Sequence, residues 1–157
     1  MSDAPTELGE LTITRIFDAR PEVVFECLTT PAHLTHFWGP VGMSTPLQGI
    51  TVEPRPGGRF ETVMVNDETG EKYPVNGVFV EFDPPRTFSF TEAGVQGGMT
   101  TSIVFNDLGD GRTETVTHQT NVPPPLMSPE AQAGLETSFV KMDAYLASLQ
   151  TKVPRLT

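Results

Sequence analysis

The chain is poor in cysteine, in basic residues and in long apolar runs, and each shortage removes a class of function. Its one cysteine, Cys27, leaves no partner for an internal disulfide. With Val23, Val24, Phe25 and Leu28 around it, Cys27 is expected to be a small core residue and not a nucleophile. Lysine and arginine number 10 against 20 acidic residues, a net charge of −10. Nucleic acids and anionic membranes require the opposite balance, so neither is expected as a partner. No apolar run approaches the ~20 residues that span a bilayer. Met1-Ser2-Asp3-Ala4-Pro5 lacks the basic and apolar regions of a signal peptide, so a soluble cytoplasmic protein is expected. At 157 residues the chain fits one domain, placed at 8–150 with flexible ends at 1–7 and 151–157.

What is present is most informative near the C-terminus. After Pro123-Pro124-Pro125, Ser128 stands where an N-cap belongs, Pro129 takes the first helical position and Glu130 follows in the first turn. Leu135, Phe139, Met142, Leu146 and Leu149 recur at steps of four, three, four and three, which puts them on one face of a helix. A helix from Pro129 to Gln150 would be roughly 33 Å long at 1.5 Å per residue.

The remainder reads as strands and two short helices. Leu11 to Phe17 alternates and is rich in β-branched residues, with Leu11, Ile13 and Phe17 on its apolar side. Pro21 opens a helix to Thr29 with Val24, Phe25 and Leu28 inward, and Pro31 opens a second through Phe37 and Trp38, ended by Gly39-Pro40. Strands are expected over 48–53, 59–65, 73–82, 87–91, 100–105 and 112–120. They are separated by turns such as Arg55-Pro56-Gly57-Gly58 and Asp107-Leu108-Gly109-Asp110-Gly111. Short connections make an antiparallel meander, so the fold class is α+β. A strongly curved sheet cannot be filled by one helix pressed flat against it; the gap is either packed by large side chains or left open as a pocket.

Several stretches, taken in order, resemble the START-like helix-grip (SRPBCC) superfamily. The closer likeness is to the family of homologues of the heat-shock-chaperone ATPase activator, grouped with polyketide-cyclase-like proteins. The resemblance is carried by Arg15-Ile16-Phe17-Asp18-Ala19 with Pro21-Glu22-Val23-Val24-Phe25. It continues through Thr30-Pro31, His33-Leu34 and Phe37-Trp38-Gly39-Pro40, then Arg55-Pro56-Gly57-Gly58-Arg59-Phe60. Gly77 to Phe82, Pro84-Pro85, Phe90-Thr91-Glu92, Gly109-Asp110-Gly111, Thr117-His118 and Gly134 to Leu146 complete it. It implies a curved antiparallel sheet gripping a long C-terminal helix over a largely apolar cavity. Members bind lipids, polyketides or flavonoid-like aromatics; some are enzymes, some carriers, and the fold alone establishes no reaction. Leu135 stands where the family commonly has a tryptophan, which should enlarge or reshape the cavity. Nothing resembles the activator's separate N-terminal domain.

From these readings the expected ligand-binding residues are Trp38, Phe60, Met64, Phe79, Glu81, Phe88, Phe90, Phe105, His118, Leu135, Phe139 and Met142. His118 shares a strand face with Val116, and Glu81 with Phe79 and Gly77, so both are candidates to point into the cavity. There they would either orient a ligand's polar end or act as general acid and base. His33 and His36 lie three apart with no third ligand at a matching spacing, so no metal is expected, and no cofactor motif is present. Trp38 either walls the cavity mouth or staples the helical elbow to the sheet. The leading expectation is a binder or carrier of a hydrophobic small molecule, as monomer or homodimer. A polyketide cyclase or hydrolase using His118 and Glu81 is the first alternative, and a chaperone-linked interaction module the second.

Overall fold

The computed structural model describes residues 9–92 and 98–152, with side chains as far as Leu149. Strand β1 (Gly9–Phe17) leads into helix α1 (Pro21–Thr29) and helix α2 (Pro31–Leu34). Each helix begins on a proline, whose fixed φ suits the first turn and whose missing N–H costs nothing there. Beyond α2 the chain keeps turning to Trp38 through tighter bonds such as Phe37 N–H to the Leu34 carbonyl, 3.1 Å. Gly39, at φ +98, then reverses it.

The sheet follows: β2 (Met43–Ser44), β3 (Thr51–Val52), β4 (Arg59–Asn66), β5 (Lys72–Asp83), β6 (Thr87–Glu92), β7 (Met99–Asp107) and β8 (Thr113–Val122). All pairings are antiparallel, in the order β1-β8-β7-β6-β5-β4-β2, and β3 also pairs with β4. The expected meander and α+β class are therefore correct. The strand expected over 48–53 shrinks to Thr51–Val52 because Leu47–Gly49 coils into a 3-10 turn closed on the Pro46 carbonyl. A second 3-10 turn, Pro124–Met127, feeds helix α3 (Pro129–Lys152). The Ser128 hydroxyl caps α3 by accepting from Ala131 N–H at 3.1 Å. The helix runs two residues past the expected Gln150. Residues 1–8, 93–97 and 153–157, which take in the expected flexible start at 1–7 and most of the expected flexible end at 151–157, lie outside the described residues.

The core is aromatic. Phe25 of α1 sits against Phe82, Phe88 and Phe105, with ring centroids 5.4, 5.4 and 5.1 Å away. Phe60 extends the cluster to Phe79, Phe90 and Trp38. Such pairs contribute about 0.5–1.5 kcal/mol each beyond their burial. Gly77 makes room for one of them, since a Cβ there would lie 3.0 Å from the Phe90 ring. Cys27 is buried in this core, and burial pushes its thiol pKa up to about 12, which keeps it protonated and unreactive.

Candidate functional site

The inner face of the sheet is set by strand parity, and it divides into two regions. On β4 to β7 most of the inward surface is phenylalanine: Phe60, Phe79, Phe82, Phe88, Phe90 and Phe105, with Thr62, Thr101 and Ile103 on the same face. On β8 they are Thr113, Thr115, Thr117 and Gln119, in register with Asp107, Phe105, Ile103 and Thr101 of β7. Thr113 and Thr115 are buried and bonded, their hydroxyls donating to the carbonyls of Ala19 and Arg15 at 2.6 and 3.1 Å. Thr117 and Gln119 are only half-buried. Gln119 donates its side-chain N–H to the Thr101 hydroxyl at 3.1 Å.

Helix α3 is held on both flanks. On one side Arg15, an inward position of β1, forms ion pairs with Glu136 and Asp143 and lies over the rings of Phe139 and Phe17. Burial opposes the Arg15 charge, but Asp143 and Glu136 outweigh it and raise the pKa. On the other side α3 grips the chain after α2. The Ser138 hydroxyl donates to the Phe37 carbonyl at 3.1 Å, Lys141 Nζ to the Gly39 carbonyl at 3.0 Å, and Val41 N–H donates to the Thr137 hydroxyl at 3.0 Å. Burial lowers the Lys141 pKa, and Asp67 offsets this only in part. Further along, Tyr145 stacks on His36 at 4.7 Å and shares a 2.5 Å hydrogen bond with His33 Nδ1. His33 thus ties α2 to α3, and no set of three metal-ligating side chains occurs among the described residues.

The expected site residues fall into three groups. Phe60, Phe79, Phe88, Phe90, Phe105 and Met142 are buried in the core cluster. Trp38, Met64, Leu135 and Phe139 are half-buried. Trp38 meets Phe60 edge-on at 5.5 Å and its carbonyl accepts from the Thr45 hydroxyl, so it does staple the elbow to the sheet. Glu81 and His118 are on the opposite, outer face, which corrects the orientation expected for both. A bulge between Phe79 and Glu81 shifts the parity of β5, so Phe82 takes the inward position and Glu81 is exposed. His118 does share a face with Val116, but that face is the outer one; its Nε2 meets Glu10 at 3.0 Å and its side chain is 44% exposed. Strands β6 and β7 also separate the two residues, a span of about 14 Å at the usual strand spacing. No direct proton relay joins them.

Parity also identifies an inward residue that the sequence reading passed over as a candidate. Phe88, Phe90 and Glu92 are in step on β6, and Glu92 stands opposite Gly77 and Met99. Its carboxyl is half-buried, and burial alone raises its pKa.

The family model described as "Activator of Hsp90 ATPase homolog 1-like protein" matches residues 18–147. The chain belongs to that family. Its sheet and long C-terminal helix are the helix-grip arrangement shared by solved structures of Activator of Hsp90 ATPase homolog 1-like type. A protein of Rhodobacter sphaeroides is similar over 92% of this chain and 97% of its own, at 23% identity and a TM-score of 0.79. One from Chromobacterium violaceum covers 87% and 96% at 21% identity and a TM-score of 0.78. The structure of the AHSA1 protein from Silicibacter pomeroyi covers 88% and 98% at 23% identity and a TM-score of 0.72. At these identities the likeness is one of fold. No curated protein matches the chain. Among the described residues no helix is long and apolar enough to cross a membrane.

Proposed function

We propose that this protein binds or carries a hydrophobic small molecule between the inner face of the sheet and the first half of α3. The observation that carries the reading is a change in burial along facing elements. Toward one end Phe17, Thr113, Thr115, Met142 and Leu146 are all buried. Toward the other, Leu11, Ile13, Thr117, Gln119, Leu135 and Phe139 are only half-buried although they lie on inward positions. Apolar side chains on an inward face normally close on one another, so partial exposure there favours a space that an apolar guest completes. A guest ring burying about 200 Å² would contribute about 5 kcal/mol at ~25 cal/mol per Å². The helix-grip family commonly serves this purpose, which supports the reading. Catalysis by Glu81 with His118 has no geometric support, because both side chains lie on the outer face.

The test is a titration with the neutral probe N-phenyl-1-naphthylamine, read by probe emission and by the emission of Trp38, the single tryptophan. Saturable one-to-one binding, weakened when Leu135→Trp fills the space, is the expected result. Absence of saturable binding would overturn the reading.

A further inference from the structure

If the inner face holds a ligand, its polar groups dictate which end chemistry the ligand carries. The inward positions next to the phenylalanine floor are Glu92 on β6, Thr101 on β7 and Gln119 on β8. Thr101 is cross-strand partner to both Phe90 and Gln119, and Glu92 is the next inward position after Phe90. The three therefore form one corner of the face. Gln119 spends an amide N–H on the Thr101 hydroxyl, which leaves its side-chain carbonyl as an acceptor. Glu92 adds carboxyl oxygens and forms no ion pair among the described residues. Basic residues of the surrounding elements are committed elsewhere: Arg59 of β4 to Glu53, Arg15 to Glu136 and Asp143, and Lys141 to the Gly39 carbonyl. The corner thus presents acceptors without a compensating positive charge.

Resting on the binding reading above, we infer that Glu92 and Gln119 form the polar end of this space and select a neutral, hydroxyl-headed amphiphile over a carboxylate-headed one. A hydroxyl donates to either acceptor and brings no charge. A carboxylate brings a second negative charge beside Glu92 in a partly desolvated corner, where like charges repel more strongly than in water. The apolar body then lies toward Phe90, Leu135 and Phe139.

The experiment compares decanol with decanoate, which share a chain and differ in head, as competitors of N-phenyl-1-naphthylamine at pH 8. In the wild type decanol should displace the probe at a concentration at least ~10-fold lower, a preference of the size expected for one unfavourable charge contact. Glu92→Gln should cut that preference to within about threefold, chiefly by improving decanoate. Glu92→Ala serves as a second variant, with circular dichroism confirming that each folds. A preference that persists unchanged in both variants would reflect desolvation of the carboxylate head or the overall negative charge of the protein, and would overturn the role of Glu92. So would equal displacement by decanol and decanoate in the wild type. If the probe itself never binds saturably, the binding reading fails, and this inference fails with it by a separately visible result.

Discussion

Arg15 of β1 is ion-paired to Asp143 of α3, 128 positions further along the chain. The same guanidinium also holds Glu136 and lies 5.5 Å over the Phe139 ring, so one side chain fixes α3 to the edge of the sheet at points about two turns apart. Both carboxylates are more than 40% exposed, which limits what the charges contribute. Asp143→Asn should cost about 0.5 kcal/mol. Arg15→Met, which keeps an apolar stem but loses both ion pairs and the ring contact, should cost about 1–2 kcal/mol. Urea unfolding at low and at 1 M salt would measure this, and the Asp143→Asn loss should shrink in salt as screening removes it. A neutral Arg15→Met would show that α3 is held by its apolar face alone.

Thr62 and Thr113 make a controlled pair. Both are fully buried threonines on inward strand positions. Thr113 donates to the Ala19 carbonyl at 2.6 Å, whereas the Thr62 hydroxyl has no partner among the described residues. Replacing each by valine exchanges a hydroxyl for a methyl at nearly constant shape, so the hydrogen bond decides the sign. Thr62→Val should stabilise by about 1 kcal/mol, because an unmet buried hydroxyl carries a desolvation cost. Thr113→Val should destabilise by about 1–2 kcal/mol, because it leaves the Ala19 carbonyl unsatisfied. Urea midpoints of the two variants should move in opposite directions. Movement in the same direction would mean that packing, and not bonding, governs these sites.

These threonines also show where the sequence was legible and where it was not. Helix α3 announced itself through Ser128, Pro129 and the spacing from Leu135 to Leu149, because a long amphipathic period with a cap and no internal proline has few other readings. The phenylalanines of β4 to β7 likewise marked the inward face. Strand β8 misled, because its apolar-looking face, with Val116, is the outer one and its inward face carries threonine. Threonine is β-branched and can bond to nearby carbonyls, so it fits a buried strand position without a hydrophobic signature. Glu81 was misplaced for a different reason: a bulge is a one-residue insertion in the pairing, invisible in the spacing of a single strand. Glu92 could have been found from its two-residue step after Phe88 and Phe90, had the alternation been carried past the apolar residues.

The burial of Glu92 has a pH consequence. Its pKa in the folded chain lies above the ordinary glutamate value of ~4.3, and desolvation is the cause. The folded state therefore retains a proton at pH values where the unfolded chain has released it. The stability associated with this group is fully present below the unfolded pKa and is lost as pH rises through the folded one. Glu92→Gln keeps the shape but cannot ionise, so it escapes that loss. Its urea midpoint should exceed that of the wild type at pH 8, and the difference should fall toward its low-pH limit as pH approaches 4. Two curves that run parallel from pH 4 to 8 would show that Glu92 is solvated as freely in the folded protein as in the unfolded chain, and its carboxylate would then face water and not the interior.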